Sequence, residues 1–308
     1  VEIPDGASGQ EIGQILYDKG VVASVGAFAD AYAANTNSGN IQAGIYTLKT
    51  KMSAANAVAA LLDPASQTRR LTIPEGFTQT QVKEKLISTG GFTDAQVDAA
   101  FADAAGIGLP AAAGGHVEGW LAPDTYNISQ GATATEVVAE MVKRTVSRLK
   151  NAGVAEADYE TVLIKASIVE REATPTYYGQ VARVIDNRLA DTDGDTQGKL
   201  GMDSTILYGL GRSGGMPTQA ELEDASNPYN TRIHAGLPPT PIGSPGKGTI
   251  TAVLNPPAGD WLYFVTINLD TGETRFASTY AEQQANEQLL QQYCAANEAK
   301  CSSGTHKS

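Results

Sequence analysis

Leu163-Ile164-Lys165-Ala166-Ser167-Ile168-Val169-Glu170-Arg171-Glu172-Ala173 reads as the last turns of a buried helix running into an acidic cluster. Val162, Leu163, Ala166 and Val169 recur at helical spacing and form one apolar face. Glu170 follows beside that face, and Thr174-Pro175 stops the helix, because the residue before a proline is pushed out of the α region. A carboxyl group in such a place can be partly desolvated. Desolvation raises a carboxylic acid's pKa and suits it to proton donation near neutral pH. By local pattern alone, most Glu residues near helix ends are solvated surface groups with exposed neighbours, here Arg171 and Glu172, so the rest of the chain has to decide.

The 308 residues are enough for two domains, and 42% hydrophobic residues suffice for packed cores. A net charge of −12 argues against nucleic acid as the main partner, since phosphate binding needs a basic surface. No apolar run approaches the roughly 20 residues of a membrane helix, and no signal peptide is present. The start at Val1-Glu2-Ile3-Pro4 is already strand-like, as expected of a trimmed chain. Cys294 and Cys301 lie close enough in sequence to form a small disulfide in an oxidising compartment. His116, His234 and His306 are scattered without ligand spacing, so no metal or other cofactor is expected.

Upstream, residues 1–65 read as a small α+β unit. Val1-Glu2-Ile3 is a short strand and Pro4-Asp5-Gly6 a turn. Ser8 with Glu11 forms a capping box for a helix striped by Ile12, Ile15 and Leu16, which Gly20 ends. A second helix runs near Ala27–Ala34, Gly44–Leu48 alternates like a strand, and Ser53 caps a third helix that Pro64 closes. The opening recurs: Ile3-Pro4-Asp5-Gly6 with Ile12 and Leu16 becomes Ile73-Pro74-Glu75-Gly76 with Val82 and Leu86, each pair 70 residues apart. Two copies do not make a solenoid, so this is one strand–turn–helix module used twice. Helical segments follow around Thr93–Ala104. In Glu118-Gly119-Trp120-Leu121-Ala122-Pro123-Asp124-Thr125-Tyr126, the pattern favours Trp120 and Tyr126 as core. A long amphipathic helix then carries Val137, Val138, Met141, Val142, Val146 and Leu149.

Downstream, Val181, Val184, Ile185 and Leu189 mark a helix bearing Asn187 and Arg188. Asp191-Thr192-Asp193-Gly194-Asp195 resembles a calcium loop only superficially, because Met202 stands where an EF-hand has Glu, so a solvated turn is expected. Asp203 or Ser204 is placed to cap another helix, and a helix start exposes N–H groups that can hold a substrate oxygen. Asn227–Thr231 is a polar turn. Gly236–Gly246 is too rich in Pro and Gly for regular structure, and such a long rigid loop often shapes a site wall. Trp261–Thr266 reads as a buried strand, Thr271-Gly272 as its turn and Arg275-Phe276-Ala277 as the start of the return strand. A last helix spans Ala281–Tyr293, and the tail after Cys301 is polar and loose.

Leu121-Ala122-Pro123-Asp124-Thr125-Tyr126 and Ala166-Ser167-Ile168-Val169-Glu170-Arg171-Glu172 come in order before Asn187-Arg188-Leu189 and Asp203-Ser204-Thr205 with Tyr208-Gly209. Tyr229-Asn230-Thr231, Gly236-Leu237-Pro238-Pro239, Pro241-Ile242, Pro245-Gly246, Asn255-Pro256 and Leu262-Tyr263-Phe264-Val265 follow. By this ordered set the chain resembles the YceG-like family, the MltG endolytic murein transglycosylases. The resemblance covers nearly the whole chain. It implies an α+β fold in which a small LysM-like module, residues 1–65, precedes a mixed α/β catalytic domain, residues 66–293, with the catalytic Glu at a helix end. Residues 66–130 of that domain include the second module copy, and residues 294–308 form a tail with the two cysteines. It also implies a membrane helix ahead of this chain, action at the extracytoplasmic face of a bacterial membrane, and cleavage of peptidoglycan glycan strands between N-acetylmuramic acid and N-acetylglucosamine.

The family's catalytic Glu falls on Glu170 and the second acid of its motif on Glu172. Asn187, Asp203, Ser204, Thr205, Tyr229 and Asn230 are the further candidates for holding the sugar, each with an alternative as a cap or turn residue. The chain departs from the family at Leu200-Gly201-Met202-Asp203-Ser204-Thr205, where a Gln and a Pro are replaced, and at Gln283, where a His is common. The expected chemistry uses Glu170 as acid and then as base toward the C6 hydroxyl of the muramic acid, closing a 1,6-anhydro ring. Three alternatives stay open: a water-using muramidase with Glu172, Glu118 or Asp203 as base; a peptidoglycan-binding protein without catalysis; and a scaffold that recruits peptidoglycan synthases.

Overall fold

A computed structural model of the chain describes residues 1–301. In chain order the elements are β1 (Glu2–Ile3), α1 (Gly9–Asp18), α2 (Val25–Ala34), β2 (Gly44–Tyr46), α3 (Ala54–Leu62), β3 (Gln67–Ile73), α4 (Gln79–Ser88), α5 (Asp94–Ala102), β4 (Asp124–Ser129), α6 (Ala134–Asn151), α7 (Tyr159–Glu172), α8 (Tyr178–Ala190), α9 (Asp203–Gly209), α10 (Gln219–Leu222), α11 (Lys247–Leu254), β5 (Tyr263–Asn268), β6 (Glu273–Ala277), α12 (Tyr280–Ala296) and α13 (Glu298–Cys301). The architecture is α+β, as the sequence predicts. The chain folds into two compact units. The first comprises Val1–Thr72, Lys83–Ala100 and Asp124–Val137; the second comprises Ile73–Val82, Phe101–Pro123 and everything from Val138 on.

The first unit holds a four-stranded sheet in sequential order β1-β2-β3-β4. β1 pairs antiparallel with β2, Ile3 opposite Gly44, and β2 with β3, Tyr46 opposite Gln67. Its helices start where short polar side chains satisfy free N–H groups. Ser8 and Glu11 cap α1 reciprocally, Ser24 caps α2 and Ser53 caps α3. Gly20 follows α1 at φ +68, where a side chain would be strained. The core gathers Ile12, Leu16, Phe28, Tyr46, Val58 and Leu61 around Ile3. The repeat reaches the caps as well: Thr78 and Gln81, equivalent to Ser8 and Glu11, bond reciprocally ahead of α4. In both copies the three matched apolar residues are buried.

The second unit is built on α7, α8 and α11, which pack on one another. Ile164, Ile168 and Val169 of α7 and Val181, Val184 and Ile185 of α8 form its core with Leu200, Met202, Ile242 and Phe264. All four residues of the predicted apolar face of α7 are buried, and the helix ends at Glu172, ahead of Thr174-Pro175. The hairpin β5–β6 turns where Asn268 Oδ1 accepts the N–H groups of Asp270 and Thr271, and α12 packs against β5.

Some sequence expectations shift. The final strand pair begins at Tyr263 and is half-buried, with only Phe264 buried along β5. Met202, rather than Asp203 or Ser204, occupies the N-cap of α9, because Thr231 holds the entering chain: its carbonyl accepts Gly201 N–H and its Oγ1 accepts Met202 N–H. Asp191 closes the acidic loop by accepting Thr196 N–H at 2.8 Å and Oγ1–H at 2.7 Å. Cys294 and Cys301 are joined in a disulfide, Cα to Cα 5.6 Å. The expected loose tail and His306 lie outside the described residues. No helix among the described residues is long and apolar enough to cross a membrane.

Candidate active site

Three mutually packed helices each deliver one group to a single point. Glu170 sits in the last turn of α7, Tyr178 opens α8 and Thr249 lies in the first turn of α11. Tyr178 donates its hydroxyl to Glu170 Oε1 at 2.8 Å. Gly246 N–H donates to Oε2 at 2.9 Å, and Thr249 Oγ1 lies 2.9 Å from the same oxygen. Thr249 Oγ1 is also 3.0 Å from Gly246 O, so its one proton is shared between two acceptors. Glu170 itself is half-buried, so its carboxyl is held on both oxygens and still reachable. Burial, and then the bond to Glu170, push the Tyr178 hydroxyl well above the usual phenol range, which keeps it a neutral donor.

The Pro- and Gly-rich loop runs beside Glu170. Ile242 N–H donates to Ser167 Oγ at 3.0 Å, tying the loop to α7 one turn before Glu170. The loop then meets the second module turn: Gly76 N–H donates to Ser244 O and Ser244 N–H to Phe77 O, both at 2.8 Å. Two glycines make this approach possible. A Cβ on Gly243 would come 2.8 Å from Gly76 O, and one on Gly246 would come 2.0 Å from Glu75 Oε1. Glu75 therefore lies against the residue that donates to Glu170. Burial first, and the Glu170 charge second, raise the Glu75 pKa, while Arg148 opposes them. Asp5 and Glu75 are both exposed, but a Cβ on Gly6 would meet nothing within 4 Å, whereas one on Gly76 would come 3.6 Å from Glu170 Cγ.

The other sequence-predicted residues are not gathered around Glu170. Glu172 is buried and lines a separate cavity of about 240 Å³ with Thr174, Tyr177, Thr266 and Thr274. Residues two apart on a helix do not share a face, which is why the two acids part. Asn187 Nδ2 donates to Gly259 O and Trp261 O, pinning the loop ahead of β5. Asp203 is ion-paired with Arg232 at 2.7 Å. Ser204 Oγ is buried with no hydrogen-bond partner among the described residues. Thr205 Oγ1 donates to Met202 O and lies 2.9 Å from Thr231 Oγ1. Tyr229 pairs its hydroxyl with Thr240 at 2.8 Å and meets Tyr208 edge to face. Asn230, fully buried, donates to the carbonyls of Glu221, Leu222 and Asp224 and accepts Arg232 N–H. Two of the departures from the family pattern, Gly201 and Gln283, line one cavity of about 680 Å³ with Arg188, Met202 and Tyr263.

A second buried acid sits elsewhere in this unit. Glu118 is 1% exposed and accepts the N–H groups of Gln79 and Gly119 and the hydroxyl of Tyr208. Burial pushes its pKa up to about 7 against those hydrogen bonds. Gln79 is the first residue of α4, so this carboxyl serves a helix start. Trp120 is core as expected, its Nε1–H donating to Glu160 at 2.9 Å.

Sequence reasoning missed Tyr178, Thr249 and the role of Glu75. The first two carry no local signal. Glu75-Gly76 does, since it is the acidic position of a repeated turn, and Gly246 lay within the loop that composition singled out.

The YceG-like family model matches residues 1–289. Two relatives, the endolytic murein transglycosylases of Streptococcus pneumoniae serotype 2 strain D39 and of strain R6, are each 29% identical over 328 residues. The match takes in 93% of this chain and 57% of theirs, so the chain spans a little over half the length of these relatives. The crystal structure of a yceG-like protein from Listeria monocytogenes matches with a TM-score of 0.58 at 29% identity, covering 92% of this chain and 97% of that one. With its whole length but the last residues matched, the chain belongs to the YceG-like family.

Proposed function

We propose that this chain is the glycan-cleaving part of an endolytic peptidoglycan lytic transglycosylase, with Glu170 as general acid and then base. The observation that carries this reading is the grip on Glu170: three donors from α8, α11 and the loop before it fix both carboxyl oxygens at the end of a buried helix. Fixing a proton donor in place removes orientational freedom from the step it performs. The protonated Glu170 gives its proton to the glycosidic oxygen as the muramic acid C1 gains oxocarbenium character. The resulting carboxylate takes the proton of the same sugar's C6 hydroxyl, whose oxygen bonds to C1. The products are a 1,6-anhydro end and a free N-acetylglucosamine 4-hydroxyl. No water and no cofactor enter.

The water-using alternative is less well supported, because the acids considered for its base are engaged elsewhere. Glu118 is buried at the start of α4, Asp203 is paired with Arg232, and Glu172 faces its own cavity. Of the proposed sugar contacts, Tyr229 and Asp203 remain part-exposed and suited to touch substrate. Asn187, Thr205 and Asn230 support the walls through backbone bonds, and Ser204 and Glu172 take sugar only from within buried positions. The strand–helix–helix–strand start, with β1 and β2 paired, supports a LysM-like glycan-binding module. The reading places the protein at the extracytoplasmic face of a bacterial membrane, anchored through a preceding helix, with glycan strands as substrate and peptidoglycan synthases as candidate partners.

Mass spectrometry of fragments released from peptidoglycan, with Glu170→Gln run in parallel, tests it. The expected products are lighter by one water than hydrolysis products and absent from the Glu170→Gln digest. Ordinary reducing ends, or undiminished release by Glu170→Gln, would refute it.

A further inference from the structure

The hydrogen bonds of Glu170 account for its orientation but leave its electrostatic surroundings open. Gly246 links those surroundings to a second acid. Its N–H points to Glu170 Oε2, and the space where a side chain would begin is filled by the Glu75 carboxyl, with Oε1 2.0 Å from an ideal Cβ and Cδ 2.4 Å from it. Two carboxyl groups thus flank one backbone residue. The adjoining turn is fixed at the same place: Gly76 N–H is tied to Ser244 O, and Gly76 is in the left-handed region at φ +75 with Glu170 Cγ 3.6 Å from where its Cβ would be. Glu75 is exposed overall, yet its carboxyl packs on Gly246 and its pKa is raised, first by desolvation and then by the Glu170 charge. The charged and titratable groups acting on it come from three helices: Glu170 of α7, Arg148 of α6 and Tyr178 of α8.

We propose that Glu75 is a positioning residue for the reaction at Glu170: its carboxyl, packed on Gly246, fixes the donor to Glu170 and places a second negative charge beside it. This rests on the reading of Glu170 given above. The physical effect has two parts. Filling the Cβ space of Gly246 holds that peptide, and the N–H it aims at Glu170, in one orientation. The Glu75 and Glu170 charges also repel at this range, which adds to desolvation in raising the Glu75 pKa. The turn of the first module copy has no such neighbour: a Cβ on Gly6 would meet nothing within 4 Å.

Two measurements test the proposal, one without activity. Carboxyl carbon NMR titration of Glu75, assigned by its loss in Glu75→Gln, is compared between the wild type and Glu170→Gln. The midpoint of Glu75 should fall when the Glu170 charge is removed; identical midpoints overturn the proposal. Release from peptidoglycan is then measured from pH 5 to pH 9 with wild type, Glu75→Gln and Glu75→Asp, with folding checked by thermal melting. Glu75→Gln keeps the shape and removes the charge. The expected result is roughly a tenfold or greater fall in kcat with KM retained. Glu75→Asp should restore part of the lost kcat. A folded Glu75→Gln with the wild-type rate overturns the proposal. If the wild type releases nothing, the functional reading fails, and the NMR comparison still decides on Glu75.

Discussion

Glu118→Gln should remove a pH dependence of stability that the fold has built in. Glu118 is 1% exposed, and burial raises its pKa from 4.5 to about 7 in spite of three donors on its oxygens. In the unfolded chain the group titrates near 4.5. Between those values the native state holds more protons than the unfolded state, so stability falls as pH rises. The contribution of Glu118 is fully present below about pH 4.5 and is lost as pH passes through about 7. The gap is worth roughly 3 kcal/mol at 1.36 kcal/mol per unit, and about 2.5 kcal/mol of it falls between pH 5 and pH 8. Gln keeps the size and an acceptor oxygen and never ionises. Urea unfolding followed by tryptophan fluorescence at pH 5, 6, 7 and 8 would compare the two proteins. Buried Trp120 lies two residues from the substitution. Near pH 5 the variant should be about as stable as the wild type, and by pH 8 more stable by about 2 kcal/mol. Parallel curves, differing by a constant offset or by less than about 0.5 kcal/mol across the range, would refute the assignment of a buried, protonatable Glu118.

Two further substitutions probe the scaffold around the site. Gly119→Ala puts a Cβ 2.4 Å from Pro241 Cβ at a residue with φ +80, so it should cost about 3 kcal/mol or more in urea unfolding and shift the 236–246 loop. Asn230→Ala removes three bonds to the carbonyls of Glu221, Leu222 and Asp224 from a fully buried side chain. It should destabilise by about 2–4 kcal/mol and speed hydrogen exchange between residues 219 and 232.

What the sequence disclosed, and what it withheld, follows the range of the interactions involved. The apolar face of α7, the caps at Ser8 and Ser53, and the repeat are all written within a few turns of chain, and local pattern finds them. The loop at 236–246 stood out by composition. The partners of Glu170 did not, because Gly246 and Thr249 meet it across 76 and 79 residues. Glu75 looked like the acidic half of a turn, and only the close approach of Gly246 gives it another place. Glu172, two residues from Glu170 in the motif, is sent by helix geometry into a cavity of its own. The pairing of Asp203 with Arg232 was equally out of local reach, as the two are 29 residues apart.

The long separations around Glu170 also have a consequence in time. As the chain is made, the segment carrying Glu170 emerges well before Gly246 and Thr249. Until they arrive, a loop of some 76 residues has yet to close, and the acid stands without two of its three holders. A partly emerged chain would therefore carry the motif and no assembled site. On the proposed reading of Glu170 as the acid, the site becomes competent only when α11 docks, after nearly all of the described chain has been made.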